Sequence, residues 1–351
     1  MTPNAAPPSP PQCIEDEAQL DDLLTQPSAV LVEFIRQVRS PLLVLGAGGK
    51  MGPTLAVRTR RAATLAGHDL RVLAVSRFTH RAARAWLESR GVETIACDLF
   101  EPEAVAQLPD ARDVLYLVGL KFGTSQNPAL TWAANTLIPT LVAGRFPRAR
   151  LVALSTGNVY PLVPVAGGGA TETHPLTPLG EYANAAVARE RLFEFHAQRH
   201  RAPMVLIRLN YAVELRYGVL RDLAEKVRTG APVDVTQGYF NCIWQGDAND
   251  AIVRALGLAA HPPLALNLTG PEVLSVRAVC TRVAELMHRP AQFLGAESGT
   301  ALLNNPGRAC ALLGPPPTAL EDMLRWTVHW VERGGPSLNK PTHFEVRDGR
   351  Y

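Results

Sequence analysis

Short apolar runs alternate along the chain with longer segments in which apolar residues recur every three or four positions. The apolar runs lie at residues 42–45, 70–75, 94–97, 114–118, 150–154 and 204–209. Short runs in which nearly every position is apolar are typical of strands buried on both faces of a parallel sheet. The segments with helical spacing between them are residues 54–66, 81–90, 101–108, 133–143 and 181–198. This alternation predicts an α/β fold with a doubly wound parallel sheet and right-handed crossovers.

The same pattern divides the chain into five parts. Residues 1–15 are dominated by proline, alanine, asparagine and serine and are expected to form a disordered tail. Residues 16–40 repeat apolar positions at helical spacing, which predicts a helical extension before the core. The core covers residues 41–210. The looser alternation of residues 211–333 predicts a smaller lobe with segments that return to the core, and residues 334–351 form a polar tail expected to wrap the surface.

Composition and charge exclude several classes of protein. Of 351 residues, 47% are hydrophobic and 19% charged, and no apolar run approaches the ~18–20 residues of a membrane-spanning helix. The net charge is +3, and no cluster of basic and aromatic residues indicates a nucleic-acid partner. The first residues lack the basic segment, apolar stretch and cleavage site of a secretion signal, so we expect a cytoplasmic protein.

The five cysteines also limit the candidate chemistry. They are odd in number, scattered, and form no Cys-x-x-Cys pair. This spacing argues against both a disulfide framework and a structural zinc site. We expect buried thiols and no bound metal.

Candidate chemistry begins with the glycines that follow the first predicted strand. Gly46, Gly49 and Gly52 are spaced three residues apart, with Lys50 and Met51 between the last two. Glycines let the chain turn tightly and approach a pyrophosphate, whose charge then rests on the free N–H groups of the following helix. The loop therefore predicts a dinucleotide site; the alternative is a tight turn without a ligand.

The residue that follows the second predicted strand bears on the choice of cofactor. Sites specific for NAD usually carry an acidic residue there, which binds the ribose. This chain has Arg77 instead, and a guanidinium offers a planar fork of donors to a 2′-phosphate. Arg77 therefore favours NADP, with NAD as the alternative if Arg77 is only a solvated residue in an arginine-rich chain.

Motifs in register with these elements resemble the extended short-chain dehydrogenase/reductase superfamily, in particular the NAD(P)-dependent epimerase/dehydratase family. That family has a Rossmann domain and a smaller substrate lobe. Beside the glycine triplet, Asp98 and Leu99 look like the family's adenine-side pair after the third strand. The resemblance also implies cofactor contacts at the fourth strand and the next helix, by Val118, Gly119, Lys121 and Asn135. The match covers about residues 41–330 and is more specific for fold than for substrate.

The resemblance also assigns the catalytic groups. The segment around Thr156 is similar to the family's Ser-Ser/Thr-x-x-Val-Tyr signature, and Tyr182 begins the helix of its Tyr-x-x-x-Lys pair. In the family, the lysine makes the tyrosine more acidic and holds the nicotinamide ribose. Here Ala186 stands at the lysine position. A tyrosine without a neighbouring cation is almost wholly protonated at neutral pH.

Two other cations are candidates to replace the missing lysine. Arg189 lies on the same helix face as Tyr182 but about 10 Å farther along at ~1.5 Å per residue, which we expect to be too far. Lys121, if it contacts the cofactor as the resemblance implies, would supply a positive field from the opposite side.

A segment dense in polar and aromatic residues follows the sixth predicted strand. We expect its side chains Asn210, Glu214 and Arg216 to face the substrate, because ligands bind at the carboxyl ends of strands in such sheets. The alternative is a buried polar network that closes the lobe onto the core.

The sequence thus predicts an NADP-dependent oxidoreductase or epimerase/dehydratase that transfers a hydride to or from a hydroxyl- or keto-bearing, sugar-like small molecule. The missing lysine leaves two alternatives open: a non-catalytic NADP-binding sensor, and a structural protein of this fold that binds no cofactor. Relatives commonly dimerise through the helix that starts at Tyr182 and its neighbour, so the resemblance implies a homodimer.

Overall fold

A computed structural model describes residues 10–79, 81–120, 126–340 and 342–350. The helices are α1 (Glu17–Thr25), α2 (Ala29–Phe34), α3 (Gly52–Leu65), α4 (Arg81–Glu88), α5 (Pro102–Ala106), α6 (Pro128–Arg145), α7 (Glu181–His200), α8 (Val219–Thr229), α9 (Gln245–Arg254), α10 (Val276–Met287), α11 (Gly307–Leu313) and α12 (Leu320–Glu332). Short 3₁₀ helices cover Ile35–Gln37, Gly157–Val159, Val165–Gly167 and Ala255–Leu258.

The longer strands are β1 (Leu42–Leu45), β2 (Val72–Ser76), β3 (Glu93–Ala96), β4 (Asp113–Tyr116), β5 (Arg150–Thr156), β7 (Met204–Leu209) and β12 (Leu264–Leu268). Two-residue strands are β6 (Val163–Pro164), β8 (Ala212–Val213), β9 (Val233–Asp234), β10 (Tyr239–Phe240), β11 (Ile243–Trp244), β13 (Leu274–Ser275), β14 (Phe293–Leu294) and β15 (Thr300–Ala301). The six strands predicted for the core are all present, with ends shifted by no more than two residues.

Within the described residues, the longer strands form one parallel sheet in the order β12-β7-β5-β4-β1-β2-β3. Alternate residues of β1 enter different apolar clusters: Leu42 and Val44 on one face, Leu43 and Leu45 on the other. Helices α3 and α9 cover the first face, and α6 and α7 the second. Because both faces are covered, the strands are apolar at nearly every position. The predicted doubly wound Rossmann fold is confirmed.

The strand order determines where a ligand binds. Chain connections from β1 lead to one side through β2 and β3, and to the other side through β4 and β5. In open α/β sheets, the crevice between two such strands, at their carboxyl ends, is the usual ligand site. The glycine loop after β1 and the loop after β4 both lie at this point.

The N-terminal segment is more ordered than expected where the structure describes it. The predicted helical extension is present as α1, α2 and a 3₁₀ turn. Leu20 of α1 is buried in the lobe, whereas Leu31 of α2 is buried against the sheet. Residues 1–9 lie outside the described residues. The expectation of disorder is wrong for residues 10–15, because Ile14 is buried and the Pro11 carbonyl accepts a hydrogen bond from Trp326 Nε1.

The lobe has its own apolar cluster, formed by α1, α8, α10 and α12 around Trp326 and Phe240. Strand β12 returns from this part of the chain to the edge of the main sheet, as expected. The C-terminal tail packs against the lobe, with Phe344 buried. It also reaches the start of α7, where a Cβ on Gly180 would overlap the carbonyl group of Gly349.

Candidate functional site

The glycine loop forms a turn that excludes side chains. Gly46 has a φ of +82°, and a Cβ on it would lie 2.9 Å from Val118 Cγ2. A Cβ on Gly52 would lie 2.5 Å from the Ala47 Cα atom. The first contact holds the loop against β4, and the second holds the start of α3 against the end of β1. Glycine is therefore required at both ends of the turn for steric reasons.

The amides of this turn can receive an anion. The Gly49 amide donates to the Gly46 carbonyl at 3.1 Å, which closes the turn. Met51 is the N-cap of α3 and has no side-chain capping bond, and proline follows Gly52 in the first turn. The first N–H groups of a helix have no partner within the helix and favour negative charge. A cradle without side chains and an uncapped helix start both fit a dinucleotide diphosphate.

Lys50 connects this loop with the lobe. Its Nζ atom donates to the Ala212 carbonyl at 2.6 Å and lies 4.3 Å from the centre of the Tyr217 ring. Ala212 and Tyr217 both belong to the segment that follows β7. The ammonium group predicted to contact the cofactor therefore also ties the cradle to the substrate side of the crevice.

The predicted adenine-side residues follow β2 and β3. Arg77 is exposed and forms no ion pair with any of the described residues. Asp98 is half-buried and accepts a hydrogen bond from the Phe100 amide at 3.1 Å. Leu99 is buried in the apolar cluster beneath β2. The guanidinium group of Arg77 is thus available to a ligand, whereas Asp98 also shapes its own turn.

The loop after β4 packs against the glycine turn. Val118 contacts Gly46, and the backbone of Gly119 is exposed. Asn135 on α6 is fully buried, and its side-chain amide donates to the Thr131 carbonyl at 2.8 Å. Lys121 lies outside the described residues.

Arg189 reaches this loop from α7. Its Nη1 atom donates to the Val118 carbonyl at 3.0 Å and to Asn135 Oδ1 at 2.9 Å. Side chains on a helix lean toward its N-terminus, and an arginine is long enough to recover one helical turn. The expectation that Arg189 is too far from Tyr182 to replace the lysine stays a prediction; the guanidinium group does contact the loop after β4.

The two predicted catalytic residues lie at the ends of neighbouring elements. Thr156 is the last residue of β5, and its hydroxyl group contacts Asn158 Oδ1 at 3.0 Å. Tyr182 is the second residue of α7, and both side chains are 7% exposed. Ala186 is fully buried among apolar residues that include Val159 and Leu303. The position of the missing lysine is therefore packed with apolar groups.

Tyr217 is a site residue that the sequence did not single out. It lies close enough to Tyr182 for the two phenols to interact electrostatically. Burial raises the pKa of Tyr217, and negative charge on Asp222 or Tyr182 would raise it further. The density of aromatic residues after β7 was the available signal, but it did not show which ring would face the crevice.

A buried ion pair lies behind the two elements that carry the predicted catalytic residues. Arg208 Nη2 lies 2.7 Å from Glu190 Oε2, and Arg208 Nη1 donates to the Tyr160 hydroxyl at 2.6 Å. Ser155, next to Thr156, donates to the same Glu190 carboxylate. These contacts join β5, β7 and α7 behind the site.

The three residues predicted to face a substrate are engaged elsewhere. Asn210 donates to Asn241 Oδ1 at 3.0 Å and is buried. Glu214 pairs with Arg216 at 3.1 Å, and Arg216 lies 3.1 Å from Asp21 of α1. These contacts are those of the alternative, a polar network that closes the lobe, and here it also includes the N-terminal extension.

Two groups of side chains contain residue types that can bind a metal, although we expect no bound metal. His196 and His200 have the His-x-x-x-His spacing and stack on α7. Among the described residues, ligand atoms of Cys13, Glu15 and His329 lie within 4.8 Å of one another. Arg333 forms an ion pair with the same Glu15 carboxylate, and its charge opposes a metal cation there.

Comparisons with known proteins agree with this geometry. Residues 42–236 match the sequence model of the NAD dependent epimerase/dehydratase family. No curated protein sequence matches the chain. No helix in the described part of the chain is both long and apolar enough to cross a membrane.

Solved structures share the fold at low sequence identity. MoeE5 in complex with UDP-glucose and NAD is 21% identical with a TM-score of 0.68, covering 84% of this chain and 99% of that one. UDP-glucose 4-epimerase from Thermus thermophilus, in complex with NAD, is 22% identical with a TM-score of 0.65, covering 83% and 99%. UDP-glucuronic acid 4-epimerase from Bacillus cereus, with NAD, is 16% identical with a TM-score of 0.68, covering 84% and 99%.

Proposed function

The chain belongs to the NAD dependent epimerase/dehydratase family, and from that premise we propose that it is an NADP-dependent oxidoreductase or epimerase/dehydratase. It acts by hydride transfer on a hydroxyl- or keto-bearing, sugar-like small molecule. The cradle made by Gly46 and Gly52, where any side chain would clash, is the observation that carries the proposal. The solved neighbours hold UDP-sugars and NAD, which supports the sugar-like substrate class.

The residues of this chain would divide the work as follows. The cofactor supplies an acceptor or donor for a hydride. The Thr156 hydroxyl donates a hydrogen bond to the substrate oxygen and polarises it. Tyr182 gives a proton to that oxygen or takes one from it. Lys50 and Tyr217, which meet beside Tyr182, close the substrate side of the crevice.

The choice of NADP rests on Arg77. Its exposed guanidinium group follows β2, the position that in such folds lies at the adenosine ribose. The solved neighbours hold NAD, so Arg77 is the feature that sets this chain's preference apart.

A non-catalytic NADP sensor is the second candidate function. The observation that favours it is Ala186, buried among apolar side chains where the family's lysine would stand. A sensor keeps the glycine cradle but does not need Tyr182 as an acid or base.

Calorimetry with NADPH, NADP and NADH tests the binding shared by both candidates, and no heat with any of them would remove both. Tyr182→Phe and Thr156→Ala then separate enzyme from sensor. For an enzyme, general acid–base catalysis contributes about 10²–10⁴-fold, so turnover must fall by that order while NADPH affinity stays. Unchanged turnover would exclude the assignment of these two residues.

Arg77→Ala tests the cofactor preference. Loss of a charge-assisted contact to the 2′-phosphate should weaken NADPH binding about tenfold or more and leave NADH binding nearly unchanged. Equal losses for the two cofactors would contradict the NADP assignment.

A homodimer through α6 and α7 is also part of the proposal. Trp132 and Leu137 of α6 and Phe195 of α7 are exposed large apolar side chains, and such groups clustered on adjoining helices are typical of interfaces. Light scattering should give a dimer that Leu137→Glu with Phe195→Glu converts to a monomer. Leu312→Glu, an exposed leucine on α11, is the control; a dimer unaffected by the pair of substitutions would reject this surface.

We place the protein in the cytoplasm. Its cysteines Cys97, Cys242 and Cys280 are free and buried, as is usual in a compartment that keeps thiols reduced.

A further inference from the structure

The Arg189 guanidinium group is a buried charge that forms no ion pair with the residues that the structure describes. The residue is 3% exposed, and Nη1 donates only to the neutral acceptors Val118 O and Asn135 Oδ1. No carboxylate in the described ranges forms an ion pair with it, and Glu190, the next residue, pairs with Arg208. Its Nε atom is buried without a hydrogen-bond partner among those residues. Buried charges are normally paired, so the charge of Arg189 acts here on the neutral Val118 carbonyl and Asn135 side-chain amide.

The Arg189 guanidinium group lies directly behind the loop after β4. Gly119 is exposed, and a Cβ on it would lie 2.8 Å from Arg189 Nη1. The backbone of Gly119 therefore separates the buried guanidinium group from the crevice. On the crevice side, the same loop abuts the glycine turn through Val118 and Gly46.

The surroundings of Arg189 strengthen its field. Tyr116, at the end of β4, is fully buried, and its hydroxyl group has no hydrogen-bond partner among the described residues. Burial raises the pKa of Tyr116, and the charge of Arg189 opposes this rise. In an apolar environment with few dipoles, a charge acts over a longer distance than in water.

The position on α7 determines which half of the cofactor is concerned. Tyr182 must stand beside the nicotinamide ring if it exchanges protons with the substrate, and Arg189 lies two turns farther on the same helix. Its side chain leans back toward Tyr182, over the turn where the family's lysine is replaced by Ala186.

We propose that Arg189 is a positioning residue that takes over from the missing lysine. Its buried guanidinium group holds the Val118–Gly119 loop and Asn135 in place for the nicotinamide half of the cofactor. The inference rests on the proposed dinucleotide binding.

The test compares two ligands and three substitutions. NADPH has both halves of the cofactor, whereas 2′,5′-ADP has only the adenine half. Calorimetry of Arg189→Met should show about tenfold weaker NADPH binding, with 2′,5′-ADP affinity within a factor of about two of the original protein. Arg189→Lys, which keeps the charge and a donor, should restore most of the NADPH affinity. Arg145→Met, on α6 and paired with Asp110, should change neither ligand.

Each other outcome contradicts a separate statement. Equal losses for NADPH and 2′,5′-ADP, or Arg189→Lys as weak as Arg189→Met, would overturn the positioning role and indicate a purely structural one. If Arg189→Met does not fold, Arg189→Gln against Arg189→Lys separates hydrogen bonding from charge in the same way. Failure of the unsubstituted protein to bind either ligand would reject the proposed function, and the inference with it.

Discussion

The loop between β1 and α3 and the first turns of α7 form the predicted site in different ways. The loop offers backbone groups and contains glycines that have no side chain. The residues of α7 act through side chains, which contact residues from distant elements. In the loop, Gly46 and Gly52 leave no room for a Cβ, and backbone N–H groups supply the donors. On α7, Tyr182 and Arg189 interact with residues from the loop after β4, from α6 and from the segment after β7.

This difference explains why the first region kept the family pattern and the second departed from it. A cradle made of backbone has almost no alternative sequence, because any side chain at Gly52 collides with Ala47. A positive charge near the cofactor can come from any long side chain that reaches the same place. If Arg189 acts as proposed, it compensates for the lysine replaced by Ala186, whereas no other residue can replace a cradle glycine.

The largest effect is expected from Gly52→Ala. The added Cβ would lie 2.5 Å from the backbone of Ala47, so the start of α3 must move away from β1. The amides of the glycine loop would then no longer point toward the diphosphate. We expect NADPH affinity, measured by calorimetry, to fall by more than about a hundredfold.

Gly144→Ala is its matched control, because a Cβ at that helical glycine meets nothing within 4 Å. It should leave the affinity unchanged. If Gly52→Ala binds NADPH as well as Gly144→Ala does, the cradle is not the diphosphate site, and the contrast between the two regions disappears.

A smaller effect is expected from Lys50→Met, since Lys50 is a residue with a side chain that we assign, with Met51, to the cofactor site. Removing its ammonium group takes away the bond to the Ala212 carbonyl and the contact with Tyr217. We expect about tenfold weaker NADPH binding in fluorescence titrations. Lys226→Met, which removes a lysine paired with Glu345 on the lobe, is the control. An affinity equal to that of the control would show that the cradle works through backbone alone.

The smallest effect on the ligand is expected from Arg216→Met. This change breaks the pairs with Glu214 and Asp21 that join the lobe to α1, and loss of such a partly buried network should lower the free energy of unfolding by about 1–3 kcal/mol. NADPH affinity should not change. The experiment is urea unfolding followed by titration of the folded protein.

Arg282→Met removes an exposed pair with Glu321 and should leave the unfolding midpoint almost unchanged. Were Arg216→Met as stable as this control but impaired in turnover, Arg216 would face the substrate after all, as its sequence position first indicated.

The alternation of apolar runs and helical segments was enough to predict the sheet. The spacing of apolar residues in strands and in helices is a local property of the sequence, so it is visible without knowing which residues are in contact. The glycine triplet likewise placed the cradle, since glycine is demanded by the turn itself. Helices α11 and α12 were not predicted, although the buried residues of α12 recur at helical spacing.

Only the tertiary structure decided what the charged side chains do. Glu214 and Arg216 lie at a strand end where ligands usually bind, yet the fold brings α1 to them from the other end of the chain. The rise along α7 gives the distance between the backbones of Tyr182 and Arg189. It does not show that the Arg189 guanidinium group extends back to the loop after β4. Long side chains and sequence-distant partners determine such contacts, and neither leaves a periodic signal in the sequence.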